Sequence, residues 1–221
     1  MAKKVAGVLA GCGFLDGAEI HEAVLALLAL EKRGVILEWY APAGPQAHVV
    51  DHLTGQAVPG ESRDVLRESA RIVRGAVRPL DELDVAAVDG LILPGGYGAA
   101  KNLCSFAFQG AAMGVLPALA VRVGNAHQLR KPMAFLCIAP VIAAKVLGAA
   151  GARPKVTIGD HEPTAAAIRS WGGVHEACAA DEICVDAQNL LVSTPAWNAA
   201  RSIVQVAAGI DKLGERLARM I

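Results

Sequence analysis

Met133-Ala134-Phe135-Leu136-Cys137-Ile138-Ala139-Pro140 is the stretch that decides the fold. Four apolar, strand-like residues run into a cysteine, and a proline three residues on suits the first turn of a helix. A cysteine at such a strand-to-helix turn stands at the rim of a sheet with a helix N-terminus directed at its sulfur. Unpaired N–H groups and the helix dipole there favour the thiolate, which is the reactive form. The spacing resembles a nucleophile elbow, although Phe135 and Ala139 stand where glycines are common.

Working outward, strand-like and helix-like segments alternate. Val5–Ala10 reads as a first strand and Gly11-Cys12-Gly13 as the turn at its end. Asp16, with Glu19 as in a capping box, predicts a helix over 17–33 whose apolar positions Ile20, Val24, Leu27 and Leu28 recur at helical spacing. A second strand spans 35–40. Residues 42–61 are polar, with prolines and glycines, and read as an excursion. Helices are expected over 62–73, 115–129, 140–147 and 163–171, and strands over 90–93, 133–136 and 156–158. Asp186-Ala187-Gln188-Asn189 reads as a hairpin turn between strands 183–185 and 190–193, and 196–221 as one long final helix. This order predicts an α/β protein, a mostly parallel, doubly wound sheet in a three-layer α/β/α sandwich. Its ligand site would lie beyond the carboxyl ends of the strands, where the turns at Cys12, Gly95-Gly96 and Cys137 converge.

The 221 residues suit a single domain over 1–221. The hydrophobic fraction is 54% with only 4% aromatic, a mix that suits a buried parallel sheet. With 21 acidic and 21 basic residues spread through the chain, no basic stripe offers phosphate contacts, so no nucleic-acid partner is expected. No apolar run reaches bilayer length, and no membrane partner is expected either. Five cysteines, odd in number and without a CxxC pair, point to a reducing, cytoplasmic setting.

Cys137 needs a group to polarise its thiol and donors to hold the charge that develops on its substrate. Glu19, opening the first helix beside the site, is the expected partner, although capping alone would explain it. Exposed N–H groups at Gly95-Gly96, with that of Ile138, could hold an oxyanion. Cys12 should end near the same edge, and His161 in Gly159-Asp160-His161-Glu162 is a further acid/base candidate. His48 and His52 flank Asp51 without a third ligand at a recognisable spacing, so no metal is expected. The glycine turns lack the third glycine of a dinucleotide fingerprint, and no GxxxxGK[ST] loop exists.

Several blocks in order carry a family resemblance across nearly the whole chain. They are Gly11-Cys12-Gly13 with Asp16-Gly17-Ala18-Glu19-Ile20-His21-Glu22-Ala23; Asp51-His52-Leu53-Thr54-Gly55; Leu93-Pro94-Gly95-Gly96-Tyr97-Gly98-Ala99-Ala100-Lys101-Asn102-Leu103; the Cys137 elbow; and Thr194-Pro195-Ala196. The chain resembles the ElbB-type glyoxalases, also called isoprenoid-biosynthesis proteins with an amidotransferase-like domain. These belong to the PfpI and class I glutamine amidotransferase-like superfamily. The resemblance implies a flavodoxin-like sandwich, usually a homodimer, with Cys137 as nucleophile and Glu19 as its carboxyl partner. Gly95, Gly96, Ile138, Cys12 and Asn102 would form the oxyanion and substrate site. It also implies a cofactor-free glyoxalase activity on a small dicarbonyl, methylglyoxal or glyoxal.

One departure narrows the choice. Glutaminases of this fold carry a late His-Pro-Glu segment, whereas this chain reads Thr194-Pro195-Ala196, with no triad base for amide hydrolysis. Two readings besides the glyoxalase remain: an electrophile- or redox-sensing protein with a reactive Cys137, and a small-molecule amidase. No diphosphate-binding acidic motif supports an isoprenoid substrate.

Overall fold

In the computed structural model, which describes residues 2–221, strands and helices alternate as the pattern predicts. The strands are β1 (Lys4–Val8), β2 (Ile36–Ala41), β3 (Val50–Asp51), β4 (Gln56–Ala57), β5 (Val77–Pro79), β6 (Gly90–Leu93), β7 (Met133–Leu136), β8 (Lys155–Val156), β9 (Val174–His175), β10 (Cys184–Asp186) and β11 (Leu191–Thr194). The helices are α1 (Ile20–Glu31), α2 (Val65–Ile72), α3 (Tyr97–Lys101), α4 (Phe106–Gln109), α5 (Pro117–Gln128), α6 (Pro140–Ala149), α7 (Glu162–Ser170) and α8 (Ile203–Met220). Seven strands form the central sheet in the order β10-β11-β7-β6-β1-β2-β5. All pair in parallel except β10, which runs antiparallel to β11 as the hairpin requires.

Side chains alternate across this sheet with period two, so each strand feeds two cores. Ala6, Leu91, Leu93, Met133 and Phe135 pack on one face with α5 and α6 residues such as Leu119, Val123 and Ile142. Val5, Ile92, Ala134 and Leu136 pack on the other with Ala26 and Leu30 of α1 and Val206, Ile210 and Leu213 of α8. Among the described residues, no helix is long and apolar enough to cross a membrane.

Four local expectations are corrected. Helix α1 starts at Ile20, and Glu19 is itself the N-cap, accepting from the Glu22 N–H at 2.7 Å. Asp16 instead turns back to accept the Val50 N–H at 2.8 Å, tying down the loop that carries the β3–β4 hairpin. The inward face of α1 is also not the expected one: Ile20, Val24 and Leu28 are exposed, whereas Glu22, Ala23, Ala26, Ala29 and Leu30 are buried. Close packing on α8 explains this. A methyl built on Gly214 would come within 2.8 Å of the Ala29 Cβ, so the interface admits small residues and excludes branched ones.

The long final helix is likewise shorter. A 3₁₀ turn at Ala196–Asn198 follows β11, and α8 begins only at Ile203 with Ser202 as its cap. Ala196 sits at φ 46°, which breaks any helix running out of the strand. Finally, the Gly96–Gln109 stretch holds the short helices α3 and α4, which no periodicity announced.

Candidate active site

Cys137 follows β7 at φ 56°, left-handed for a side-chain-bearing residue, and such backbone stores roughly 1–3 kcal/mol of strain. Its neighbours hold it there. The Cys137 N–H donates to the Thr194 carbonyl at 3.0 Å, and Ala139 N–H donates to Leu136 at 2.9 Å. Pro140 then opens α6. The sharp turn lifts the sulfur out of the sheet, where the N–H groups of Gly96 and Ile138 reach it and the Asn198 Oδ1 lies 3.2 Å away.

The carboxyl group hydrogen-bonded to that sulfur belongs to Glu22, one turn into α1, rather than to Glu19. Glu22 is fully buried, and its Oε2 accepts the Gly95 N–H at 2.8 Å. Oε1 takes a longer bond, 3.4 Å, from the Trp197 N–H. Burial, then the neighbouring Glu19, pushes the Glu22 carboxyl up to about 8, with the two backbone N–H groups and Cys137 pulling the other way. Glu19 does open on the site, but its oxygens are engaged in capping α1 and in a 3.1 Å contact with His21 Nδ1.

The thiol does not behave as the strand–turn–helix pattern predicted. Burial and the Glu22 carboxyl raise Cys137 well above an ordinary cysteine, outweighing the Gly96 and Ile138 amides, which act in the expected downward direction. The carboxyl and the thiol therefore share one dry site that tolerates a single negative charge, and ionising both groups together is costly.

Two glycines make this closeness feasible. A side chain at Gly95 would meet the Cys137 Cβ at 2.5 Å and the Glu22 Oε2 at 3.0 Å. Gly96 lies at φ 88°, and a methyl there would meet the Glu19 nitrogen at 2.5 Å. The Gly95 N–H is committed to Glu22, so of the expected oxyanion donors only Gly96 and Ile138 face the reacting atom.

The other expected site residues lie elsewhere. Asn102 donates to the Ala10 and Asp16 carbonyls, both at 2.9 Å, and accepts the Ala47 N–H at 2.9 Å, clamping three loops together. Cys12 bridges to Ala18 and lies among Glu68, Arg71, Asp16 and Arg63, away from the cavity. Sequence reasoning missed Glu22, Asn198 and Trp197. The signal for Glu22 was present: an acidic residue in step with Ala26 and Ala29 on the small-residue face of α1.

A cavity of about 1160 Å³ opens above the sulfur. Glu19, His21, Gly96, Ile138, Trp197 and Asn198 surround its cysteine end. His161 stands on its wall, with Nδ1 2.8 Å from the Thr164 hydroxyl. Among the described residues, no group of three His, Cys, Asp or Glu side chains could hold a metal ion.

A mostly parallel sheet bearing a cysteine at a left-handed turn, with a buried glutamate beneath it, is an α/β arrangement of the class I glutamine amidotransferase-like type. No family model matches the chain. It is 42% identical over 221 residues to human glutamine amidotransferase-like class 1 domain-containing protein 3, mitochondrial, covering 96% of this chain and 81% of that protein. The crystal structure of an isoprenoid biosynthesis protein with amidotransferase-like domain from Ehrlichia chaffeensis superposes with a TM-score of 0.92 at 36% identity, covering 99% of both chains. A DJ-1 superfamily protein from Salmonella typhimurium shares the fold more loosely, with a TM-score of 0.57 at 23% identity over 97% of this chain and 90% of that one. The protein belongs to the glutamine amidotransferase-like class 1 domain family.

Proposed function

We propose that the protein is a cofactor-independent glyoxalase in which Cys137 is the nucleophile and Glu22 its proton partner. The observation that carries this reading is the Cys137 sulfur on the floor of the cavity, touching Glu22 and two backbone N–H groups at once. The sulfur adds to the aldehyde carbon of a 2-oxoaldehyde while its proton passes to the Glu22 carboxylate. From there the proton goes to the former carbonyl oxygen, giving a neutral hemithioacetal and restoring the carboxylate. The Gly96 and Ile138 N–H groups hold the oxygen while it is charged.

Glu19, which lines the cavity, then takes the carbon-bound proton and returns it to the adjacent carbon through an enediol. The product is a thioester on Cys137, which water hydrolyses to the hydroxy acid and the free thiol. Atoms balance as oxoaldehyde plus water, with no net oxidation. His21, 3.1 Å from Glu19, keeps that carboxyl oriented.

The sensor alternative is disfavoured, since oxidation needs a low-pKa thiolate and this thiol is raised. Amide hydrolysis is disfavoured too: the residue beside the sulfur at the late segment is Asn198, whose carbonyl oxygen cannot serve as a base. The test follows methylglyoxal loss and lactate formation over many turnovers per protein. Continued lactate production is expected from the wild type. Glu19→Gln should accumulate the covalent Cys137 adduct seen by intact mass, yet make little lactate. Consumption that halts at one equivalent in the wild type would defeat the proposal.

A further inference from the structure

The cavity above Cys137 far exceeds what methylglyoxal, a molecule of a few heavy atoms, can fill. Its 1160 Å³ exceeds the roughly 300–1,000 Å³ of pockets that enclose drug-sized ligands. The chain holds nine aromatic residues, and five of them (Phe14, Tyr97, Phe106, Phe108 and Trp197) line this one cavity. Phe14, Tyr97 and Phe108 are each about half exposed, so apolar rings stand in water at its mouth. Between them much of the wall is glycine and alanine, including Ala166 of α7, with Pro163, Thr164 and Ser170 beside it, so small side chains leave the volume empty.

Charge narrows the ligand further. Among the described residues, no lysine or arginine lines the cavity; its charged and titratable side chains are Glu19 and His21 at the cysteine end and His161 on the wall, and two imidazoles are no match for a permanent cation. A phosphate or carboxylate on the substrate would enter with no lysine or arginine to meet it and would feel Glu19. That argues against phosphorylated trioses and against glutathione adducts, which carry two carboxylates.

We propose that the substrate is a neutral 2-oxoaldehyde bearing a bulky apolar group, aromatic or branched, which stacks among the cavity rings while its aldehyde carbon meets Cys137. This rests on the carbonyl chemistry proposed above and adds the substrate class to it. Removing one ring from water on binding is worth about tenfold or more in kcat/KM.

The experiment compares phenylglyoxal with methylglyoxal on the full chain, and separately measures protection of Cys137 from iodoacetamide by unreactive ketones. Cys12 and Cys178, both partly exposed, serve as internal references in peptide mapping. Phenylglyoxal should be favoured at least about tenfold in kcat/KM, and Ala166→Phe, which fills the cavity, should shrink that ratio. Acetophenone should protect Cys137 at concentrations about tenfold below those of acetone or of the anionic benzoylformate.

A methylglyoxal preference, or equal protection by benzoylformate, overturns the substrate class and leaves the glyoxalase reading intact. No turnover of either aldehyde, with acetophenone still protecting selectively, overturns the glyoxalase reading and the 2-oxoaldehyde with it, and supports only a neutral ligand with a bulky apolar group. Neither turnover nor selective protection overturns both.

Discussion

Two cysteines follow the carboxyl ends of parallel strands in this sheet, Cys12 after β1 and Cys137 after β7, with only β6 between those strands. Both thiols are raised by burial and by nearby carboxyl groups. They differ in what surrounds them. Cys12 sits between glycines in a loop, with Glu68 and Arg71 as its charged neighbours and outside the lining of the large cavity. Cys137 is held at positive φ by its own backbone bonds, with two N–H groups and Glu22 on the sulfur and a deep cavity beyond. Strand-end position therefore does not make a nucleophile; the left-handed turn, the donors and an adjacent proton acceptor do.

The sharpest way to break the comparison is to remove each sulfur. Cys137→Ala should cut turnover by about 10³-fold or more, whereas Cys12→Ala should stay within about twofold of wild type in kcat/KM. Comparable losses from both would mean that the first turn takes part after all.

Next in size is Glu22→Gln. Removing the proton partner should lower kcat/KM by about 10²–10⁴-fold. In the wild type, kcat/KM should rise with pH and level off above about 8, as the Glu22 carboxyl becomes available to accept the thiol proton. A profile that is flat between pH 6 and 9 would remove Glu22 from the mechanism.

The same residue has a stability signature. Its folded value of about 8 stands above the ordinary 4.5, so the native state binds the proton more tightly than the unfolded chain. That contribution is full below about pH 4.5 and is lost as pH rises through 8. The Gln variant has no such loss. Its unfolding free energy should gain on the wild type from about pH 5 upward, toward a difference on the order of several kcal/mol above pH 8. A gap that stays constant with pH would show that Glu22 is ionised throughout.

The smallest effect concerns the backbone. Glycine accepts φ 56° without a Cβ penalty, so Cys137→Gly should be more stable than Cys137→Ala by about 1 kcal/mol in thermal or denaturant unfolding. No change, or a loss, would place the turn's conformation outside the left-handed region.

The fold was legible because its strands carry continuous apolar runs and its turns carry glycine and proline. β6 and β7 fall where the pattern put them, and the elbow at Cys137 follows from the proline that opens α6. The site was legible in part. Cys137, Gly96 and Ile138 meet as expected, but the carboxyl bonded to the sulfur is that of Glu22 rather than Glu19. α1 is apolar on nearly every side, so its large residues suggested one face while tight packing against α8 selected the small-residue face, with Glu22 on it. Asn198 and Trp197 were hidden for a different reason. Their segment has helix-forming composition, and only the positive φ at Ala196 takes it out of the helix and lays it against Glu22.

The most direct test is the pH dependence of iodoacetamide alkylation at Cys137, read by peptide mapping in the wild type, Glu22→Gln and Glu19→Gln. The wild-type thiol should titrate above an ordinary cysteine, and Glu22→Gln should bring it down while Glu19→Gln leaves it raised. A wild-type Cys137 that titrates at or below the ordinary value, or that shifts only with Glu19→Gln, would contradict the pairing of this sulfur with Glu22.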